Sequence, residues 1–90
     1  MKMIINDSFG GFGVREDVLE KFGLSEAEED TIRFDPNLIA LVESGEDIND
    51  DDSDLAVVEI PDNATDWFID EYDGSEQIIY VVDGRLHWVG

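Results

Sequence analysis

The stretch that decides the fold is Asp66-Trp-Phe-Ile-Asp-Glu-Tyr-Asp-Gly-Ser-Glu-Gln-Ile-Ile-Tyr-Val-Val-Asp-Gly-Arg-Leu-His-Trp-Val89, one residue short of the C-terminus. It contains Asp73-Gly74 and Asp83-Gly84, each between runs of β-branched and aromatic residues. An Asp-Gly pair in that setting favours a two-residue hairpin turn, because both residues tolerate a positive φ. The stretch therefore predicts a three-stranded antiparallel meander.

The two short turns also predict which residues pair, since a two-residue loop fixes the register of a hairpin. Phe68 should pair with Ile79, and Ile79 with Trp88. One face of the predicted sheet then carries Phe68, Ile79, Val81, Leu86 and Trp88, and the other carries Trp67, Ile69, Ile78, Tyr80, Val82, His87 and Val89. Because both faces are apolar, helices would cover one, and the other needs the remaining segments, a homodimer or a partner.

The N-terminal half predicts a strand, a glycine turn and two helices. Apolar residues begin at Met1, and Gly10-Gly11-Phe12-Gly13 follows the first strand. Residues 14–22 then place apolar side chains at helical spacing. A second helix is expected from Asp35-Pro36, because aspartate caps a helix and proline suits its first position.

Two further segments complete the predicted fold. Ser25 and Glu28 have the spacing of a capping box, which predicts a short, solvated helix. Residues 55–60 are strand-like and end at Pro61. The expected class is α+β, a single domain over residues 1–90. Its N-terminal strand, glycine turn and two short helices would pack on the C-terminal antiparallel meander.

The charge of the chain excludes several classes of function. It has 24 Asp and Glu against 5 Lys and Arg, a net charge of −19, while 42% hydrophobic residues are normal for a folded domain. Such a charge opposes direct binding to nucleic acid and docking on an anionic membrane. Cysteine is absent, which excludes thiol chemistry, and no apolar run reaches 18 residues. We expect a cytoplasmic protein.

Residues 43–54, called the acidic segment below, carry seven carboxylates in twelve positions. Because like charges repel, this density predicts a flexible loop. Asp47, Asn49 and Asp51 match the first ligand positions of an EF-hand. However, Asp52 stands where glycine is needed, and Val58 where a bidentate glutamate is needed. No metal site is predicted, although weak Ca²⁺ binding stays open.

No pattern in the chain predicts catalysis or a cofactor. His87 is the single imidazole, and no nucleophile elbow of the form G-x-S-x-G is present. The glycine turn matches neither common phosphate-loop pattern, and no lysine follows it. A helix N-terminus can still hold an anion. A ligand-binding alternative would therefore use Gly10, Gly11, Phe12, Gly13, Arg15 and Arg33.

The acidity is the main indication of function. A rigid acidic surface can imitate the phosphates of nucleic acid and compete for a basic groove, with fast and salt-sensitive association. We therefore predict a non-enzymatic protein that binds a basic, nucleic-acid-binding protein. The partner-binding carboxylates would be Glu46, Asp47, Asp50, Asp51, Asp52, Asp54, Asp66, Asp70, Glu71, Asp73 and Glu76. Acidity that serves only solubility stays open as an alternative.

Four blocks of the chain resemble a family of small, uncharacterised proteins of bacteriophages and prophages. They are Ile4–Val14, Arg33–Ile39, Val57–Asp62 and Ile69–Gly74, in the same order. The resemblance implies an accessory protein that acts in the host bacterial cytoplasm on a nucleic-acid-handling or defence protein, and it supplies no catalytic residue. Two alternatives stay open: a module that sequesters a small ligand, and a phage structural or assembly component that uses a sheet face.

Overall fold

The computed structural model describes every residue from Met1 to Gly90. Five strands and three helices follow in the order β1 (Lys2–Asn6), α1 (Glu16–Lys21), α2 (Glu29–Phe34), α3 (Pro36–Glu43), β2 (Leu55–Glu59), β3 (Asp66–Tyr72), β4 (Ser75–Val82) and β5 (Arg85–Val89). β1 pairs with β2, and β3, β4 and β5 form a separate antiparallel meander. The predicted α+β class is confirmed.

The register of the meander is also as predicted. Phe68 pairs with Ile79, which pairs with Trp88 on its other side. Asp73 and Asp83 have φ values of 50° and 52°, and the glycine after each also has a positive φ. Two successive positive φ values are those of a type I′ turn, whose twist matches the flanking strands.

The meander packs on the rest of the chain through one face. Ile78 is completely buried there, and β4 lies against β1. The cluster around Ile78 contains Met3, Ile5, Val58 and Ile60, with Trp67, Ile69, Tyr80 and Val89 partly buried against it. The opposite face has Phe68, Leu86 and Trp88 exposed. The Ile78 face is therefore the core face, a choice that the sequence left open.

The helices lie mainly on the β1–β2 sheet, and only the end of α2 reaches the meander, through Phe34 on Trp67 and the Arg33–Glu76 pair, which differs from the prediction. α2 contacts β1, and α3 contacts both β1 and β2. The cause is the pairing of β2 with β1, in which Met3 lies opposite Val58. Side chains alternate along a strand, so Ile4 enters the helical core while Met3 and Ile5 face the meander. The β1–β2 sheet is thus a layer between the helices and the meander.

α2, which lies between α1 and α3, differs in its start and its burial from the short, solvated helix predicted at Ser25. It begins at Glu29, four residues after Ser25, and Glu28 makes no capping hydrogen bond through its side chain. Ser25 Oγ instead accepts a hydrogen bond from the Ala27 N–H at 3.3 Å. Ile32 and Arg33 are buried, so α2 is part of the core and not a solvated helix.

α1 and α3 lie where the sequence predicts them. α1 buries Val18 and Leu19. The Asp35 carboxylate caps α3 by accepting hydrogen bonds from two backbone N–H groups, at 2.9 and 3.0 Å. The longest helix, α3, has eight residues. None of the three is long and apolar enough to cross a membrane.

Candidate partner-binding surface

The glycine turn, residues 10–13, lies between the acidic segment and the tip of the β3–β4 hairpin. A side chain at Gly10 would collide with the backbone of Asp52, and one at Gly74 with the backbone of Gly11. Only residues without a Cβ allow three chain segments to approach this closely. The turn therefore brings two groups of predicted partner-binding carboxylates to one end of the molecule.

We call this region the acidic end. Its carboxylates are Glu46, Asp47, Asp50, Asp51, Asp52, Asp54, Asp70, Glu71 and Asp73. Most are exposed, and Asp50 is half-buried. Asp66 lies at the opposite end of β3, about 20 Å from the hairpin tip at the usual rise of a strand. It therefore does not join this group.

Hydrogen bonds connect the acidic segment, which we predicted to be a flexible loop, to neighbouring parts of the chain. Asp50 Oδ1 accepts a hydrogen bond from the Asp52 N–H at 2.9 Å. The Ser53 hydroxyl donates to the Gly13 carbonyl oxygen at 2.7 Å and accepts from the Asp50 N–H at 3.0 Å. Ile48 is buried in the helical core. These contacts counter the mutual repulsion of the carboxylates around them.

Asn6, which is completely buried, joins the same segments. Its Oδ1 accepts hydrogen bonds from the Asp54 N–H at 2.8 Å and the Ser8 hydroxyl at 3.0 Å. Its Nδ2 donates to the carbonyl oxygens of Gly74 at 2.7 Å and Ser8 at 2.9 Å. The amide is fully satisfied. Sequence reasoning missed this role, and the only available signal was an asparagine directly after three apolar strand residues.

Glu76 does not belong to the partner-binding surface, which corrects its predicted role. It is buried and forms a bidentate ion pair with Arg33, at 2.9 Å to Nη1 and 2.7 Å to Nη2. The Asn6 N–H also donates to its Oε1 at 2.8 Å. Paired hydrogen bonds of this kind are strong and directional. They connect α2 to β4 across the end of β1.

The donors of the alternative anion site are largely engaged within the protein. Arg33 Nη1 also donates to the Ile4 carbonyl oxygen at 3.0 Å, and the Phe12 ring centroid lies 3.8 Å from the guanidinium carbon. Arg15 donates to Asp17 at 2.7 Å and to the Asp47 carbonyl oxygen at 3.0 Å.

The space beside Gly13 is filled by the Asp50 carboxylate. An anion at the glycine turn would therefore have to displace a carboxylate of the protein. This arrangement disfavours the ligand-binding alternative.

Few of the carboxylates are neutralised by a neighbouring cation. Of the 24, five lie within 4 Å of a cationic group, and none of these belongs to the acidic end. Arg15 donates a hydrogen bond to Asp17 and so lowers the pKa of that carboxyl. Lys2 donates a hydrogen bond to Glu43, which raises the pKa of the Lys2 ammonium group. Neither pair includes a carboxylate of the acidic end, although Arg15 also donates a hydrogen bond to the Asp47 carbonyl oxygen.

Two of the three EF-hand-like side chains of the acidic segment accept hydrogen bonds from the backbone of the chain itself. Asp47 Oδ1 accepts a hydrogen bond from the Asn49 N–H at 3.0 Å, and Asn49 Oδ1 accepts one from the Leu55 N–H at 2.7 Å. Nowhere in the structure do three or more histidine or carboxylate side chains converge as they would around a metal ion.

Comparisons with protein-family models, curated proteins and solved structures find no match to this chain. The feature with the clearest chemical meaning is the unneutralised acidic end.

Proposed function

We propose that this chain is a non-enzymatic accessory protein of a phage or prophage. In the host bacterial cytoplasm it binds a basic nucleic-acid-handling or defence protein and inhibits or modulates it by imitating nucleic acid. The observation that supports the proposal is the acidic end: its nine carboxylates lie on two chain segments that approach each other at the glycine turn and Asn6, and none of the nine forms an ion pair. The resemblance to phage and prophage proteins supports the biological setting.

The hydrogen bonding of the acidic end favours this role over acidity that serves only solubility. A solubilising charge needs no defined position, whereas here Asn6 and the glycine turn position the charged segments. Charges that are already in place bind without the entropy cost of ordering a loop. A basic groove that accepts phosphates also attracts such carboxylates, with a rapid and salt-dependent association.

Affinity capture with matched charge variants tests the proposal. The acidic-end variant carries Glu46→Gln, Asp51→Asn, Asp52→Asn and Asp54→Asn, whose carboxylates accept no hydrogen bond in the structure. The control variant carries Glu26→Gln, Glu28→Gln, Asp30→Asn and Glu59→Gln, which are exposed and lie elsewhere. Both variants lose four charges. Each is immobilised, exposed to bacterial lysate at low and moderate salt, and compared with the wild type.

Capture should depend on where the charges lie and not only on their number. Wild type and the control variant should retain the same basic nucleic-acid-binding proteins at low salt, and both should lose them as salt rises. The acidic-end variant should retain at most a tenth as much. Equal retention by both variants would show that the acidic end is not the binding surface and would contradict the proposal.

A further inference from the structure

The uncovered face of the meander, called the outer face below, gathers most of the exposed apolar side chains of the protein. Four of the six large hydrophobic side chains that are exposed lie on it: Phe68, Tyr72, Leu86 and Trp88. Exposed fractions are 43% for Phe68, 52% for Leu86 and 56% for Trp88. Contiguous apolar patches of this kind on a folded domain mark interaction surfaces.

The strand register gives the layout of the outer face. Phe68, Ile79 and Trp88 form one row across the three strands, and the next row is Asp66, Val81 and Leu86. Because side chains alternate along β3, Phe68 lies between Asp66 and Asp70 on this face. The outer face is therefore an apolar block with carboxylates along its β3 edge. An apolar centre beside a charged rim is the usual anatomy of a protein–protein interface.

A second copy of the chain fits this surface poorly. The outer face has no lysine or arginine: Arg85 pairs with Val82 on the opposite face, Arg33 is buried, and the other three cations lie on β1 or beside α1. A face-to-face dimer would bring four carboxylates together without a cation and join two chains of −19 each. Unpaired like charges in an interface are costly. The charge pattern fits a partner with basic residues.

The outer face is continuous with the acidic end. A groove of about 170 Å³ lies between Phe9 of the N-terminal turn region and Asp70, Tyr72 and Gln77 of the meander. Asp70 and Tyr72 belong to the outer face, and Asp70 is also a carboxylate of the acidic end. A partner held by the acidic end therefore reaches the apolar block along the same surface.

We propose that the outer face is the docking surface for an amphipathic basic segment of the same partner. Apolar side chains of that segment pack on Phe68, Leu86 and Trp88, while its lysine or arginine residues lie against Asp66 and Asp70. Tryptophan and tyrosine are frequent energetic centres of interfaces, which makes Trp88 the main anchor. This inference rests on the proposed function, because the acidic end supplies the attraction that brings a basic partner to the surface.

Two synthetic peptides of equal charge separate apolar docking from charge attraction. One is an amphipathic helix with leucine on one face and lysine on the other, and the second has serine in place of every leucine. Affinities are measured by calorimetry for the wild type, the acidic-end variant and Phe68→Ser/Trp88→Ser. Backbone amide NMR on the wild type maps the contact without any substitution, so the test does not depend on the folding of a variant.

The wild type should bind the leucine-containing peptide at least tenfold more tightly than the serine-containing peptide. In the NMR spectra, the backbone amide signals of Phe68, Leu86 and Trp88 should shift when the leucine-containing peptide binds. Phe68→Ser/Trp88→Ser should lose that preference, and the acidic-end variant should weaken both peptides. Equal affinities for the two peptides, or shifts confined to the acidic end, would overturn this inference and leave the proposed function standing. Binding of neither peptide would contradict both. A dimer in sedimentation that Phe68→Ser/Trp88→Ser dissociates would identify a second copy as the occupant and would also overturn it.

Discussion

The Glu76→Gln substitution tests the buried ion pair that joins the meander to α2. The exposed fraction is 1% for Arg33 and 8% for Glu76, so the pair is shielded from water. The substitution removes the negative charge and leaves the Arg33 guanidinium buried beside a neutral amide. The Arg33 Nε already lacks a hydrogen-bond partner in the wild-type protein. Removing one member of a buried ion pair typically costs about 3–5 kcal/mol, because the remaining charge is uncompensated.

We expect a loss at the lower end, about 3 kcal/mol in the free energy of unfolding. The glutamine oxygen can still accept the hydrogen bond that the Asn6 N–H donates at 2.8 Å. Glu29, whose carboxylate lies 3.5 Å from Nη2, also keeps a weak attraction to Arg33. In a chain of 90 residues, 3 kcal/mol corresponds to a fall in Tm of about 12–24 °C.

Urea unfolding followed by tryptophan fluorescence measures this loss. Glu29→Gln is the matched control and should cost less than about 0.5 kcal/mol, because Glu29 is largely in water. Replacement of both partners, Arg33→Met with Glu76→Leu, should recover part of the stability, since no charge is then left buried but the Asn6 N–H and the Ile4 carbonyl oxygen each lose a hydrogen bond. A cost for Glu76→Gln no larger than that of Glu29→Gln would refute the view that this pair secures the meander.

Three further predictions follow from the surface geometry. Gly10→Ala should cost about 1–3 kcal/mol in urea unfolding, and more than Gly13→Ala, since the first collides with the backbone of the acidic segment and the second with a movable carboxylate. The acidic-end variant should have a higher Tm than the wild type at low salt, and the difference should shrink as salt screens the repulsion. Arg15→Gln should raise the pKa of Asp17 in an NMR titration, because that pKa is lowered mainly by the hydrogen bond from Arg15. The stabilisation from this pair is present above the unfolded pKa of Asp17 and is lost as pH falls through the lower folded value. An unchanged Asp17 pKa would contradict the assignment.

Local signals predicted the meander and α3. The two Asp-Gly pairs specify turns of two residues, and a turn of fixed length determines every pair along the hairpin. Asp35-Pro36 marks the start of α3 in the same direct way, because capping depends only on neighbouring residues. The capping-box spacing at Ser25 was less informative, since the same side chain is equally satisfied in a turn.

Contacts between distant residues could not be predicted from these patterns. Residues 55–60 are strand-like in any sheet, and nothing local selects β1 as their partner. Glu76 and Arg33 are 43 positions apart, so Glu76 was assigned to the surface with the other carboxylates of its hairpin. Composition identified the acidic groups, but their meeting at one end depends on Asn6 and on the close approach of Gly10 and Gly74 to other segments.

The most direct test of nucleic-acid mimicry is release of the captured proteins by nucleic acid. Immobilised wild-type protein is loaded from bacterial lysate at low salt and then washed with double-stranded DNA, with RNA, or with polyglutamate at the same charge concentration. The account predicts that DNA or RNA releases the bound basic proteins, because nucleic acid and the acidic end compete for the same groove of each captured protein. Polyglutamate should release much less. Proteins that stay bound in the presence of nucleic acid, or that polyglutamate releases equally well, would contradict it.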